Sequence, residues 1–278
     1  MPGNGRDGSI VTETVLVTGA AGTVGALLRP RLARPGRRLR LLDRAEQPPA
    51  GPGEQVELVT ASVTDLAAMT AACRGAAALI HLGGISREAP WEQILAVNID
   101  GTRTVLEAAR LAGVPRVILA SSNHAVGMRP VSDAGDAGFP AESTPRPDTY
   151  YGVSKVAVEA LGSLYHDRFG LDVVCIRIGS CFPEPPGIRG LATWLSPDDG
   201  ARLFEACLSA PSPGFRVVWG ASANTRGHYS LAEARALGYS PRDDAERFAE
   251  RILAESSPAP GDELLGGGFT TTPVGEPN

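Results

Sequence analysis

Apolar positions along the chain come in short, nearly unbroken runs, separated by longer stretches rich in alanine, leucine and charge. Val15–Val17, Leu39–Asp43, Val56–Val59, Ala77–Leu82, Val117–Ser121, Val173–Ile178 and Phe215–Gly220 read as strands, with Val56–Val59 the weakest. A strand covered on both faces has no solvent side, so its pattern is continuous rather than alternating. Val24–Ala33, Leu66–Cys73, Trp91–Ala112, Tyr151–Phe169 and Asp198–Ala210 read as helices between them. Strand and helix in strict alternation predict an α/β fold, a doubly wound parallel sheet with a small C-terminal substrate-binding part. Residues 47–53 and 128–148 are loops, the second long enough to carry function. Residues 256–278 are rich in Gly and Pro and are expected to be irregular. Residues 1–13 lack an apolar core and are expected to be a disordered leader. A single domain over 14–278 then follows, with substrate-binding segments mainly within 180–278.

Composition removes several classes of function. Twenty-six basic against 31 acidic side chains leave a formal net charge of -5, which gives no attraction for nucleic acid or an anionic membrane. No apolar run approaches the roughly 20 residues of a membrane helix. Four cysteines with no C-x-x-C pair fit a reducing cytoplasm better than a disulfide framework, and the four histidines show no metal-ligand spacing. Of the basic side chains 25 are arginine and one, Lys155, is lysine. A GC-rich genome explains the arginines but not why one ammonium remains.

Two motifs carry chemistry. Gly19, Gly22 and Gly25 form G-x-x-G-x-x-G between the first strand and first helix, with Thr23 and Val24 opening that helix. Such glycines permit a tight turn, close approach of backbone N–H groups to a pyrophosphate, and close packing of helix on strand. The pattern is weak alone in a chain with 33 glycines, and its weight comes from the strand before it and the helix after it. Asp43 ends the second strand, where a carboxylate accepts from both ribose hydroxyls and repels a 2′-phosphate, predicting NAD over NADP. Arg44 is the complication, because an arginine there can receive that phosphate. The second motif is Tyr151-Gly152-Val153-Ser154-Lys155. Tyr and Lys at i and i+4 share a helix face; a nearby ammonium and a positive nicotinamide ring would lower the phenol's pKa from its ordinary ~10. Tyr150 lies off that face. The lone lysine of the chain thus falls one turn after a candidate general base.

With Ser121-Ser122 ending the fifth strand, these features resemble the extended short-chain dehydrogenase/reductase superfamily, with its Rossmann-type fold, over roughly 14–180. The resemblance implies catalytic Ser122 beside Tyr151 and Lys155, cofactor contacts from Ser62, Val63, Leu82, Tyr151 and Lys155, and a helix asparagine at Asn98, as easily structural as functional. Narrower strings are His81-Leu82-Gly83-Gly84-Ile85-Ser86, Ala120-Ser121-Ser122-Asn123-His124, Arg177-Ile178-Gly179-Ser180-Cys181, Thr193-Trp194 and Val217-Val218-Trp219-Gly220-Ala221. Together they look like uronate dehydrogenases, across most of the chain. That resemblance implies NAD-dependent oxidation of hexuronic acids at C1 to aldarolactones, by a homo-oligomer. It implies substrate contacts from Ser86, Ser122, Asn123, His124, Ser180 and Arg189, with Phe269 near the pocket. Arg189, placed in a loop after the sixth strand, suits a carboxylate because a guanidinium grips one with two parallel bonds. His124 reads equally as a buried, hydrogen-bonded loop histidine. Ser62 stands where the family has aspartate near the adenine, and the 128–148 loop is longer than the family's. A nucleotide-sugar epimerase or dehydratase, or a non-catalytic NAD-sensing regulator, are the alternatives; only 98 residues follow Ser180, few for a nucleotide-holding domain, and a sensor has no need of the Tyr/Lys pair.

Overall fold

The computed structural model describes residues 13–277; the remainder of the expected leader lies outside them. The chain runs β1 (Glu13–Thr18), α1 (Thr23–Leu32), β2 (Arg37–Asp43), β3 (Val56–Thr60), α2 (Leu66–Cys73), β4 (Ala78–His81), then α3 (Trp91–Ile94), a π-helical segment (Leu95–Asp100) and α4 (Gly101–Ala112). It continues through β5 (Arg116–Ser122), α5 (Tyr150–Phe169), β6 (Asp172–Ile178), β7 (Ser180–Cys181), α6 (Gly187–Thr193), β8 (Trp194–Leu195), α7 (Pro197–Ser209), β9 (Phe215–Gly220), α8 (Ala232–Ala236) and α9 (Ala249–Glu255). Seven strands form one parallel sheet in the order β3-β2-β1-β4-β5-β6-β9. Central strands β4, β5 and β6 are buried almost throughout, as their unbroken apolar runs require. The weak third strand is the half-exposed edge, β3.

Several boundaries differ from the sequence pattern for identifiable reasons. β1 starts at Glu13, inside the expected leader, because the Glu13 carboxylate accepts from Arg37 Nε at 2.7 Å. Arg37, only 2% exposed, is closed on its other side by Glu205 of α7, so a charged residue starts β2 two positions earlier than apolarity indicates. The long helix over 91–112 is interrupted by the π segment, and Asn98 within it is buried. Its amide brackets the Ile85 backbone, accepting from Ile85 N–H at 2.8 Å and donating to Ile85 O at 2.9 Å, and it donates to Ser154 Oγ at 3.0 Å. The extra residue in the turn aims this side chain, a use typical of π-bulges. The short helices α6, α8 and α9 escape a periodicity reading because they have at most two turns. Residues 256–277 lack long elements, as expected, but are fastened down: Leu265 N–H donates to Arg129 O and Gly266 N–H to Gly127 O. No helix among the described residues is long and apolar enough to cross a membrane.

Strand order reverses between β1 and β4, and the carboxyl ends of both open into a crevice, the usual ligand position in such sheets. Gly25 makes this packing possible, since a Cβ there would lie 2.6 Å from Gly19 O and 2.7 Å from Ala20 Cα. Both are backbone atoms that cannot swing aside. Gly25→Ala is therefore expected to destabilise the fold by roughly 1–3 kcal/mol, lowering Tm by several degrees in a thermal melt.

Candidate active site

The crevice is a cavity of about 810 Å³ lined by Gly19, Gly22, Asp43, Val63, Leu82 and Gly83, among others. Gly19 has φ +70°, and a Cβ there would come within 2.5 Å of Gly83 N, so the turn admits only glycine without strain. Thr23 and Val24 open α1 directly above the loop. The Asp43 carboxylate is fixed by two backbone donors, Ala21 N–H at 2.9 Å and Ala45 N–H at 3.0 Å, one to each oxygen. Each oxygen retains a lone pair for a hydroxyl. Arg44 is exposed at the same rim. Ser62 donates or accepts locally with Thr64 Oγ1 at 2.8 Å, and Asp65 caps α2 through Ala68 N–H, so Val63 rather than either of these supplies the cavity wall. Beneath the loop, buried His81 bridges Thr18 and Thr102 at 2.7 and 3.1 Å. Burial, helped by the Lys155 charge, pushes its pKa down to about 3, so it stays a neutral brace. These residues fit a dinucleotide: a glycine cradle at a helix N-terminus, apolar walls, and a pre-set carboxylate.

Ile85, which lines the crevice, packs against Tyr151, and α5 carries both Tyr151 and Lys155. Thr149 caps the helix by accepting Gly152 N–H at 3.0 Å. Glu88, fully buried, accepts the N–H groups of Tyr150 and Tyr151 at 3.2 and 2.9 Å and Gly275 N–H at 2.7 Å. The Lys155 ammonium lies 5.3 Å from the Tyr151 ring centre and donates to Ala120 O at 2.8 Å. Its pKa is pushed down to about 8 by burial, with Glu159 opposing. The Tyr151 phenol is pushed up to about 12 by burial, against a hydrogen bond from Ser122. Among the protein's own groups burial outweighs the Ser122 hydrogen bond and the Asp148 charge adds to the rise; the expected lowering, which counts the nicotinamide charge, concerns the cofactor-bound state.

The sequence-predicted substrate residues gather at the carboxyl ends of β5 and β6, with differences. His124 stacks on Phe269 with ring centres 4.0 Å apart and meets Tyr151 edge-on at 5.6 Å. Asn123 is fully buried, and its amide donates to Leu265 O at 2.8 Å, which gives it a part in holding the tail. Arg189 donates to the same carbonyl and lies on α6, not in a loop. The shared acceptor brings Arg189 beside the β5 end. Ser180 is buried and paired with Thr193 Oγ1 at 2.8 Å. Ser86 is exposed, one residue after Ile85, which packs against Tyr151. Asp148, Glu88 and the Leu265–Gly267 backbone belong to the site and were not anticipated. Asp148 directly precedes the Thr149 cap, a local signal that could have found it, whereas Glu88 leaves no sequence signal.

The chain matches the model of the NAD dependent epimerase/dehydratase family over residues 15–187 and belongs to that family. Within it the chain is a member of the uronate dehydrogenase group. It is 45% identical to the uronate dehydrogenase of Agrobacterium fabrum over 266 residues, 94% of this chain and 98% of the relative. It is 44% identical to that of Pseudomonas putida over 258 residues, 92% of this chain and 94% of the relative. A crystal structure of the Agrobacterium tumefaciens uronate dehydrogenase, a tyrosine mutant complexed with NAD, superposes with a TM-score of 0.88 at 42% identity, covering 94% of this chain and 98% of that one.

Glu159 lies one turn beyond Lys155 and holds Arg177 by two bonds of 2.8 Å and Ser121 by one of 2.6 Å. Its charge keeps Lys155 from falling further. Glu159→Gln is expected to lower the Lys155 pKa below about 8, moving the alkaline limb of the kcat/KM–pH profile down by about one unit. The profile of the variant against wild type checks this.

Proposed function

We propose that the protein oxidises hexuronic acids such as glucuronate and galacturonate at C1 to aldarolactones, with NAD as hydride acceptor. The observation that carries the reading is the grouping of buried Tyr151 and Ser122 with half-buried Lys155, near the β5 end where Arg189 shares a backbone acceptor with Asn123. Tyr151, as phenolate, takes the proton of the C1 hydroxyl, and Ser122 donates a hydrogen bond to that oxygen. The C1 carbonyl forms as the C1–H bond leaves with its electron pair. NAD, when bound, supplies the hydride acceptor and a positive charge beside the phenol. Lys155 would add a second positive charge beside the phenol and hold the nicotinamide ribose. Arg189 has five N–H donors, so its bond to Leu265 leaves capacity for a two-pronged grip on the substrate carboxylate. With the carboxylate held there, C1 faces the tyrosine, and orientation of this kind is a large part of catalysis. Asp43 favours NAD over NADP. In this reading the chain is one Rossmann-type domain over 14–278, with substrate segments mainly within 180–278. It is a cytoplasmic homo-oligomer, its four cysteines buried and free.

Tyr151→Phe is expected to abolish NADH formation from glucuronate and galacturonate while NAD binding persists by calorimetry; turnover at the wild-type rate would remove Tyr151 from the mechanism. Arg189→Ala is expected to raise KM for uronates by about tenfold or more with little change for the uncharged sugar glucose. Equal losses on both would place the carboxylate anchor elsewhere. An epimerase would retain its cofactor and release no NADH in either assay.

A further inference from the structure

Asp148 is a carboxylate of the site to which the proposed reaction assigns no part. Its side chain is fully shielded, 0% exposed. One oxygen, Oδ2, lies 2.7 Å from His124 Nδ1, and the other, Oδ1, accepts the Thr149 hydroxyl at 2.8 Å. Three glycines from separate segments wall it in. A Cβ at Gly127 would fall 1.9 Å from Oδ2, one at Gly266 2.1 Å from Oδ2, and one at Gly152 2.8 Å from Oδ1. The first follows β5, the second lies in the C-terminal tail and the third in the first turn of α5. Three stretches of chain thus converge without side chains so that a carboxylate fits against His124.

The hydrogen-bond directions are determined. Thr149 Oγ1 accepts Gly152 N–H at 3.0 Å, so its single proton goes to Asp148 Oδ1. A carboxylate accepts on that side and carries no proton to give on the other. His124 Nδ1 therefore carries the hydrogen, and in a neutral ring Nε2 is left with a lone pair. Stacking on Phe269 and edge contact with Tyr151 prevent the ring from turning away.

We propose that Asp148 is a positioning residue that holds His124 in the Nδ1–H tautomer, so that Nε2 accepts a hydrogen bond from a hydroxyl of the sugar. The identity of that hydroxyl's owner rests on the uronate reading; the tautomer does not. Asp148→Asn fits the glycine cradle because it adds no volume. The Thr149 proton would keep the amide oxygen on its own side and turn the amide NH2 toward His124. Nδ1 must then accept, and Nε2 gains the hydrogen and becomes a donor.

Two measurements test this. In wild-type protein, nitrogen-15 histidine spectra, assigned by difference against His124→Asn, are expected to show the neutral Nδ1–H form at His124, and Asp148→Asn the Nε2–H form. An imidazolium or an Nε2–H ring in wild type overturns the proposal. In the NADH assay with glucuronate, Asp148→Asn is expected to lose at least about tenfold in kcat/KM, chiefly through KM, with unchanged NAD Kd and Tm. In a His124→Ala background the same substitution is expected to cost nothing further. An equal loss in both backgrounds, or a loss carried by NAD Kd and Tm, shows Asp148 to be a helix-start support only and overturns the proposal. Should wild type make no NADH from any uronate, the functional reading fails, while the spectra still decide the tautomer.

Discussion

The site depends on a helix start being buried. The first turn of a helix presents N–H groups with no partner inside the helix, and burying them unpaired is costly. In α5 they are met by the Thr149 hydroxyl and by both oxygens of Glu88. That satisfaction lets Tyr151 begin the helix out of water rather than at the surface. It also ties the helix to distant parts of the chain, because Glu88 also accepts Gly275 N–H. The aromatic ring, the loop after β4 and the C-terminal tail are thereby assembled as one unit.

Burial then sets the electrostatics. Desolvation acts on Tyr151 and Lys155 in opposite senses, raising the phenol to about 12 and lowering the ammonium to about 8. Each shift favours the neutral form, so the protein alone does not make a phenolate. The Glu159–Arg177 pair behind Lys155 limits the loss of its charge, and Ser122 supplies the one local hydrogen bond that pulls the phenol down. In the proposed reaction, positive charge delivered with the cofactor would be the remaining contribution. Proton removal would in this way be tied to the presence of the hydride acceptor.

The parts of this arrangement that were legible in sequence are those built from local pattern. The seven parallel strands, the glycine turn, Asp43 and the Tyr151/Lys155 spacing each lie in one short segment with its own signature. The lone lysine occupies a half-buried place where a larger planar guanidinium would have to displace the Ala120 carbonyl contact. What was not legible comes from groups distant in sequence. Glu88 reads as an ordinary loop acid until Tyr150 and Tyr151 are folded against it, 62 and 63 positions away. Arg189 and Asn123 meet only through Leu265, 76 and 142 positions away. The tail's glycines look like low-order sequence, yet Gly266 is small because Asp148 is beside it.

The claim that cofactor charge, not the lysine alone, makes Tyr151 a base can be measured directly. Tyrosinate absorbance is titrated in wild type and in Tyr151→Phe, with and without saturating NAD, and the difference isolates one phenol. The account predicts ionisation near 12 in the protein alone and a fall toward neutrality with NAD bound. A Tyr151 that ionises near neutrality without NAD, or one that stays near 12 with it, would contradict the account.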